Sequence, residues 1–396
     1  YELGGRLVGS EMCIRDRASS PVDRLNPGLE ELITERAKQS DADRCPDPEV
    51  IAALAQAGLM KLLVPKEYGG HEVHPGVLIE FTARLAEIHG STAWVAMTCN
   101  EEAELVSAYL PPDTCRQIWK DEPELVVAGS GVPKGRSVRE STGWRVSGRW
   151  NFVSGCTTAD KWVLNSVVEG SSPIELCFAV IDADPTFIED TWHTVGLRGT
   201  GSHDVVLDDF FVSDAWCGVV PNNSLPLPDL PFYRLPSALR FPFPKTGVAS
   251  GLARRAIADF KLLAQAKRPL NSKLPLHDRP DAASAVAKAE ALVGAGQAWV
   301  YEQLDSIWEA AENDDPVDLD VHARVRLACS WSVQNAIAAI QHLVDAAGST
   351  ANFEASGLMG LLDDARAVAG HFMVGSYQID TAGRVLLGLE AGDPAF

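Results

Sequence analysis

The order in which three textures follow one another along the chain constrains its fold more than any single motif. From about residue 26 to 120 the pattern is helical. From about 124 to 215 it changes to short runs rich in β-branched and aromatic residues, and after a Pro-rich stretch it is helical again to near the end. Strands never alternate with single helices, and no G-x-G-x-x-G follows a strand, so a doubly wound dinucleotide-binding sheet is excluded. The order predicts an α+β protein: an N-terminal helical domain over 21–122, a middle antiparallel β domain over 123–220, a Pro-rich connection over 221–245 and a C-terminal four-helix bundle over 246–396.

Local signals support each part. Asn26 before Pro27 is a helix start, and Gly58 closes the helix "DPEVIAALAQAGL". Helices follow at about 76–88 and 92–109, with Ser91 as a cap for the second and Pro111-Pro112 as its end. In "GWRVSGRW" the alternation sets Trp144 and Val146 on one side of a strand and Arg145 and Ser147 on the other. Further helices are predicted at "TGVASGLARRAIADFKLLAQAKR" and over about 281–312, 318–347 and 358–374. Residues 1–20 open on Tyr1 and lack helical or strand periodicity as well as the apolar core of a signal peptide. They read as a non-native or disordered leader.

Composition narrows the partners. A net charge of −20 argues against nucleic acid and anionic membranes as partners, and no apolar run is long enough to span a bilayer. The eight cysteines are scattered without CxxC or metal-ligand spacing and read as reduced, mostly buried thiols of a cytoplasmic protein. No HExxH or paired carboxylates point to a metal, and no GxSxG points to a hydrolase.

Four stretches carry chemistry. In "VVAGSGVPKG" a strand runs into small residues, which suits either an ordinary turn or close approach to a flat ligand. In "GRWNFVSGC" Trp150 and Phe152 suggest a flat apolar wall, with Ser154 just past it as a turn residue or a hydroxyl contact. "GLRGTGSHDVVLDD" has phosphate-loop glycine spacing but no following helix, so a tight β connection facing a ligand fits better. In "DDARAVAGH", Asp364 and His371 lie on one face if the helix runs through both.

Taken in order, "AGSGVPKG", "GWRVSGRWNFVSG", "GLRGTGSHDV" and "DDARAVAGH…AGRVLLG", between and after helices, resemble the acyl-CoA dehydrogenase superfamily. More narrowly they resemble its flavin-dependent monooxygenase branch, the oxygenase component of two-component aromatic hydroxylases, over roughly residues 28–390. The resemblance implies a flavin between the β domain and the bundle. The turn Ala128, Gly129, Ser130, Val132 and Pro133 and the corner Phe152, Ser154 and Gly155 would touch the ring, with Ser154 near its N5/C4a edge as a catalytic residue that holds the N5 proton by hydrogen bond. Arg268 matches a position that reaches a flavin phosphate, often across a subunit interface, and Gly348 and Ser349 match a cofactor-side turn. His371 matches a histidine beside the flavin that acts on the peroxide or on a phenolic proton, and Trp94 matches a substrate-pocket wall.

The implied reaction uses reduced FMN or FAD from a flavin reductase, and O2, to hydroxylate a small aromatic substrate through a C4a-hydroperoxyflavin. The implied assembly is a homotetramer. Two departures stand out. Asp363 occupies a position where the family often has Arg, and "HFMVGSYQIDTAGR" lacks the catalytic glutamate of acyl-CoA dehydrogenases. Without that base, α-proton abstraction from a thioester has no evident agent. An acyl-CoA dehydrogenase-type oxidation is the alternative, and a non-catalytic binding or assembly member of the fold is a more remote one.

Overall fold

A computed structural model of the protein describes residues 20–221, 229–270, 272–393 and 396. Residues 1–19, where a leader over 1–20 is expected, and residues 222–228 of the Pro-rich connection lie outside the described residues. The chain divides into two compact units. One comprises Leu25–His74 and Ser91–Tyr233; the other comprises Pro75–Gly90 and Arg234–Phe396 together with residues 20–24.

The first unit begins with helices α1 (Pro27–Asp43) and α2 (Pro48–Gln56). Both start on a capping side chain followed by proline. Asn26 Oδ1 accepts from the N–H groups of Gly28 and Leu29 at 3.0 and 3.1 Å, and Asp47 does the same for Glu49 and Val50. Helices α4 (Gly90–Tyr109) and α5 (Pro112–Asp121) follow the excursion of the chain into the other unit. Ser91 is not the cap that the sequence suggests. The helix already begins at Gly90, and the Ser91 hydroxyl instead donates to Asp41 Oδ1 at 3.0 Å.

The sheet has seven strands: β1 (Val127–Arg139), β2 (Gly143–Val153), β3 (Lys161–Val168), β4 (Leu176–Asp182), β5 (Ile188–Glu189), β6 (His203–Ser213) and β7 (Cys217–Val220). Their spatial order is β5-β6-β2-β1-β3-β4-β7. The sheet is mixed rather than wholly antiparallel. β2 forms a hairpin with β1, then the corner after Val153 carries the chain across the end of β1, so β3 runs parallel to β1. Trp144, Val146 and Trp150 enter the core on one face with Trp162, Leu164, Ala179 and Val205. The indole of Trp150 is fully buried over two glycines of adjacent strands. A Cβ at Gly135 would fall 2.2 Å from its ring, and one at Gly148 would fall 2.6 Å from the Gly135 Cα. Seven cysteines in the described residues are free thiols, six of them buried.

The second unit is helical. α3 (Pro75–Ile88) packs on α8 (Pro242–Ala266), which is preceded by the short α7 (Ser237–Arg240); the one-turn α6 (Pro231–Arg234) ends where the first unit gives way to the second. The long α9 (Pro280–Asn313) and α10 (Leu319–Ala347) lie against α8 and each other, and α11 (Leu358–Ala369) and α12 (Tyr377–Leu386) close the bundle against α10. The α3–α8 approach is backbone-close. A Cβ at Gly247 would meet Thr82 Oγ1 at 2.1 Å and Ile79 O at 2.4 Å, and one at Gly251 would meet Ala83 O at 2.2 Å. Thr82 Oγ1 donates to Pro244 O at 3.1 Å across this contact. The helix read over 358–374 stops at Ala369, where Gly370 caps it, so His371 sits in the turn beyond. Asp364 and His371 therefore do not share a continuous helical face. Among the described residues no helix is long and apolar enough to cross a membrane.

Candidate active site

In the first unit, the residues named from the "VVAGSGVPKG" and "NFVSG" stretches come together. Ala128, Gly129 and Ser130 are buried where β1 pairs with β3. That pairing breaks between Ser130 and Gly135, and Gly131, Val132, Pro133 and Lys134 are exposed. Ser130 Oγ donates to Asn151 O at 3.2 Å, which ties this bulge to the end of β2 beside Phe152. Phe152 adopts φ 62°, a conformation that a bulky residue takes only when its surroundings hold it there. The flip breaks the strand alternation, so Trp150 and Phe152 do not form the common wall that the sequence suggests. Trp150 is buried in the sheet core, whereas the Phe152 ring is 67% exposed and meets Trp192 edge-on at 6.1 Å.

Past Phe152 the chain turns inward. Ser154 is buried at 4% exposure, and Gly155 at φ 78° gives its N–H to Thr200 O at 2.8 Å. Ser154 Oγ lies 3.1 Å from the Trp94 indole nitrogen and 2.7 Å from Ser202 Oγ. Ser202 Oγ lies 2.7 Å from Thr200 Oγ1, which donates to Leu197 O at 2.8 Å. Trp94 is thus buried with its indole edge against Ser154. Asp41 anchors the "GLRGTGS" connection: its Oδ1 accepts the Gly199 N–H at 2.9 Å and its carbonyl accepts Arg198 Nε at 3.2 Å. Thr200, Ser202 and Asp41 were missed as individual residues in the sequence, although the first two lie in a stretch singled out as facing a ligand.

This corner fits a flat, partly polar ring. The bulge has stepped out of the ladder, an exposed aromatic side chain stands beside it, and a buried hydroxyl lies at its foot. Asn165, whose Nδ2 donates to Gly131 O at 2.9 Å, has a buried Oδ1 without a hydrogen-bond partner among the described residues.

The remaining named residues belong to the second unit. Lys267 Nζ donates to Ala347 O and to Thr350 Oγ1, both at 2.6 Å, which brings the end of α8 to the turn after α10. Arg268, Gly348 and Ser349 are exposed around this link, Gly348 at φ 57°. His371 is half-buried, and its Nδ1 accepts the Met373 backbone N–H at 3.2 Å. That bond assigns the ring proton of the neutral form to Nε2. Burial, and then the Lys245 and Arg326 cations, hold the imidazole well below its ordinary pKa. Arg326 is itself fully buried on α10; its guanidinium donates to Ala238 O at 3.2 Å and to Met373 Sδ at 2.8 Å. Asp363 pairs with Arg366 at 3.6 Å on α11.

Family models for the acyl-CoA dehydrogenase N-terminal domain and C-terminal domain match residues 25–108 and 246–376. The chain is 31% identical over 383 residues to an indole-3-acetate monooxygenase of Pseudomonas putida, covering 95% of this chain and 97% of that one. It is 28% identical over 345 residues to HsaA of Mycobacterium tuberculosis, the oxygenase subunit of a flavin-dependent monooxygenase, covering 83% of this chain and 84% of that one. Among solved structures, XiaF from Streptomyces sp. in complex with FADH2 and glycerol superposes with a TM-score of 0.84 at 23% identity, over 98% of both chains. The chain belongs to the acyl-CoA dehydrogenase family. Within it, the chain falls in the flavin-dependent monooxygenase branch and is an oxidoreductase, and acyl-thioester oxidation is the less favoured reading.

Proposed function

We propose that this chain is an oxygenase component that receives reduced FMN or FAD from a separate flavin reductase and, with O2, hydroxylates a small aromatic molecule. The observation that carries the reading is the corner at 152–155, where an exposed aromatic ring held at positive φ stands next to a buried serine. Phe152, Val132 and Pro133 would flank the ring system, the buried Ala128, Gly129 and Ser130 would support the bulge from below, and Gly155 would let the chain turn so that Ser154 meets the N5 edge. Trp94 would close the pocket behind Ser154. Arg268 would meet a flavin phosphate, with Gly348 and Ser349 beside it.

The bound flavin would supply the oxygen activation; the chain binds, orients and keeps water out. His371 presents a neutral ring with its proton on Nε2, which suits donation to an oxygen at the reacting centre better than removal of a phenolic proton by that nitrogen. We assign the protein to the cytoplasm and to a homotetramer by its likeness to the family. The test mixes the protein with anaerobically reduced flavin, then with oxygen and a panel of phenols and indoles, and counts hydroxylated product against hydrogen peroxide. Product formation supports the reading. Peroxide alone across the panel, together with reduction of bound FAD by an acyl-CoA, overturns it in favour of dehydrogenation.

A further inference from the structure

The hydroxyl chain behind the corner has a direction, and that direction follows from its two ends. At one end the Trp94 indole N–H can only donate, and at the other the Leu197 carbonyl can only accept. Between them stand the three hydroxyls of Ser154, Ser202 and Thr200, linked by 2.7 Å contacts in which either oxygen is able to be the donor. Thr200 must spend its single proton on Leu197 O, because two lone pairs at 2.8 Å would repel. Ser202 then donates to Thr200, Ser154 donates to Ser202, and Trp94 donates to Ser154. Four bonds use four protons, and every proton is committed. Ser154 Oγ is left with one lone pair and no hydrogen to give. All four side chains are buried, Thr200 completely, so water does not readily scramble the order.

Resting on the placement of Ser154 at the flavin N5 edge, we propose that this relay makes the site select the redox state of its cofactor. Reduced flavin carries a hydrogen on N5 and donates to the waiting lone pair. Oxidised flavin carries only a lone pair there and meets another. Ser202 and Thr200 are positioning residues: they touch no reacting atom, but they set which way the Ser154 hydroxyl points. An oxygenase supplied from elsewhere with reduced flavin gains from such a filter, because spent, oxidised flavin leaves more easily than fresh cofactor.

The readout is the ratio of Kd for oxidised flavin to Kd for reduced flavin, from aerobic and anaerobic titrations with FMN and FAD in the absence of substrate. T200V keeps the shape of the side chain but removes the acceptor for Ser202. The Ser202 proton is then free to turn to Ser154, and the Ser154 proton is free to meet N5 of oxidised flavin. S202A frees the Ser154 proton directly. Each variant is expected to lower the ratio about tenfold, the worth of one buried hydrogen bond reversed, and T200S is expected to restore it. S154A lowers the ratio as well, since it removes both the acceptor and the repulsion. A ratio unchanged in T200V and S202A but lowered in S154A overturns the relay and leaves the flavin placement standing. A ratio unchanged in all three, or no binding of either flavin by the wild-type protein, overturns the placement and the relay together.

Discussion

The backbone N–H of Met373 donates to Nδ1 of His371 at 3.2 Å, so the turn after α11 dictates which nitrogen of the ring carries the proton. A histidine held in this way is a fixed donor through Nε2. Burial and the neighbouring Lys245 and Arg326 cations keep it neutral well below its ordinary pKa. Product yield per reduced flavin should therefore show no His371 titration between pH 8 and about 6.5, the ordinary histidine value. A drop of yield centred near that value, abolished in H371Q, would show the ring to be an ordinary exposed histidine.

The same geometry separates two variants. H371Q retains an N–H donor and should keep part of the coupling between oxygen use and product. H371A should lose about 10²-fold or more in hydroxylation rate, the usual scale for a proton-handling side chain. Rapid-quench product analysis beside peroxide assays distinguishes these outcomes.

Phe152 links backbone strain to function. At φ 62° it stores about 1–2 kcal/mol that glycine would not. F152G should therefore leave the folding stability unchanged or raised while weakening flavin binding. If chemical denaturation instead shows a marked loss of stability, the exposed ring is holding the fold rather than waiting for a ligand.

Gly247 is the opposite case, a residue chosen by packing alone. G247A places a methyl 2.1 Å from Thr82 Oγ1 and 2.4 Å from Ile79 O, and backbone cannot yield as a side-chain tip does. A loss of about 1–3 kcal/mol is expected in urea unfolding.

His322 makes stability depend on pH. Burial, with Arg326 adding to it, pushes its pKa down to about 4, and its ring stacks on Phe396 at 4.9 Å. The unfolded chain binds a proton near pH 6.5 that the folded chain refuses, so its contribution is fully present above that pH. It is lost as pH falls from about 6.5 to about 4, with a slope of up to ~1.4 kcal/mol per pH unit. Replacing His322 by Asn should flatten that part of the stability profile; an unchanged slope would assign it elsewhere.

Much of this was legible in the chain because local chemistry decides it. Asn26-Pro27 starts a helix wherever it is placed, and the alternation of Trp144 to Ser147 assigns the two faces of β2 without help from distant residues. The errors came where distant parts intervene. The parallel pairing of β1 with β3 follows from how a corner crosses the sheet, which no alternation pattern encodes. Trp150 and Phe152 are two apart and should share a face, but one positive φ parts them. Alanine and valine continue the helical pattern through Gly370 to His371, although a glycine at that point is also a stop. Ser154 was visible as a candidate; its partners Ser202 and Thr200 lie 48 and 46 residues further on, and only the fold makes them neighbours.

The pairing of α3 with α8 joins segments 162 residues apart at the Thr82–Pro244 contact. On a ribosome, α3 emerges long before its partner exists. Its apolar face must wait, shielded by chaperones or by transient contacts, until the bundle has been synthesised. A gene fragment beginning at residue 234 would leave Gly247 and Gly251 facing water along an uncovered groove, and such a fragment should collect in inclusion bodies unless a peptide carrying residues 75–88 is supplied in trans.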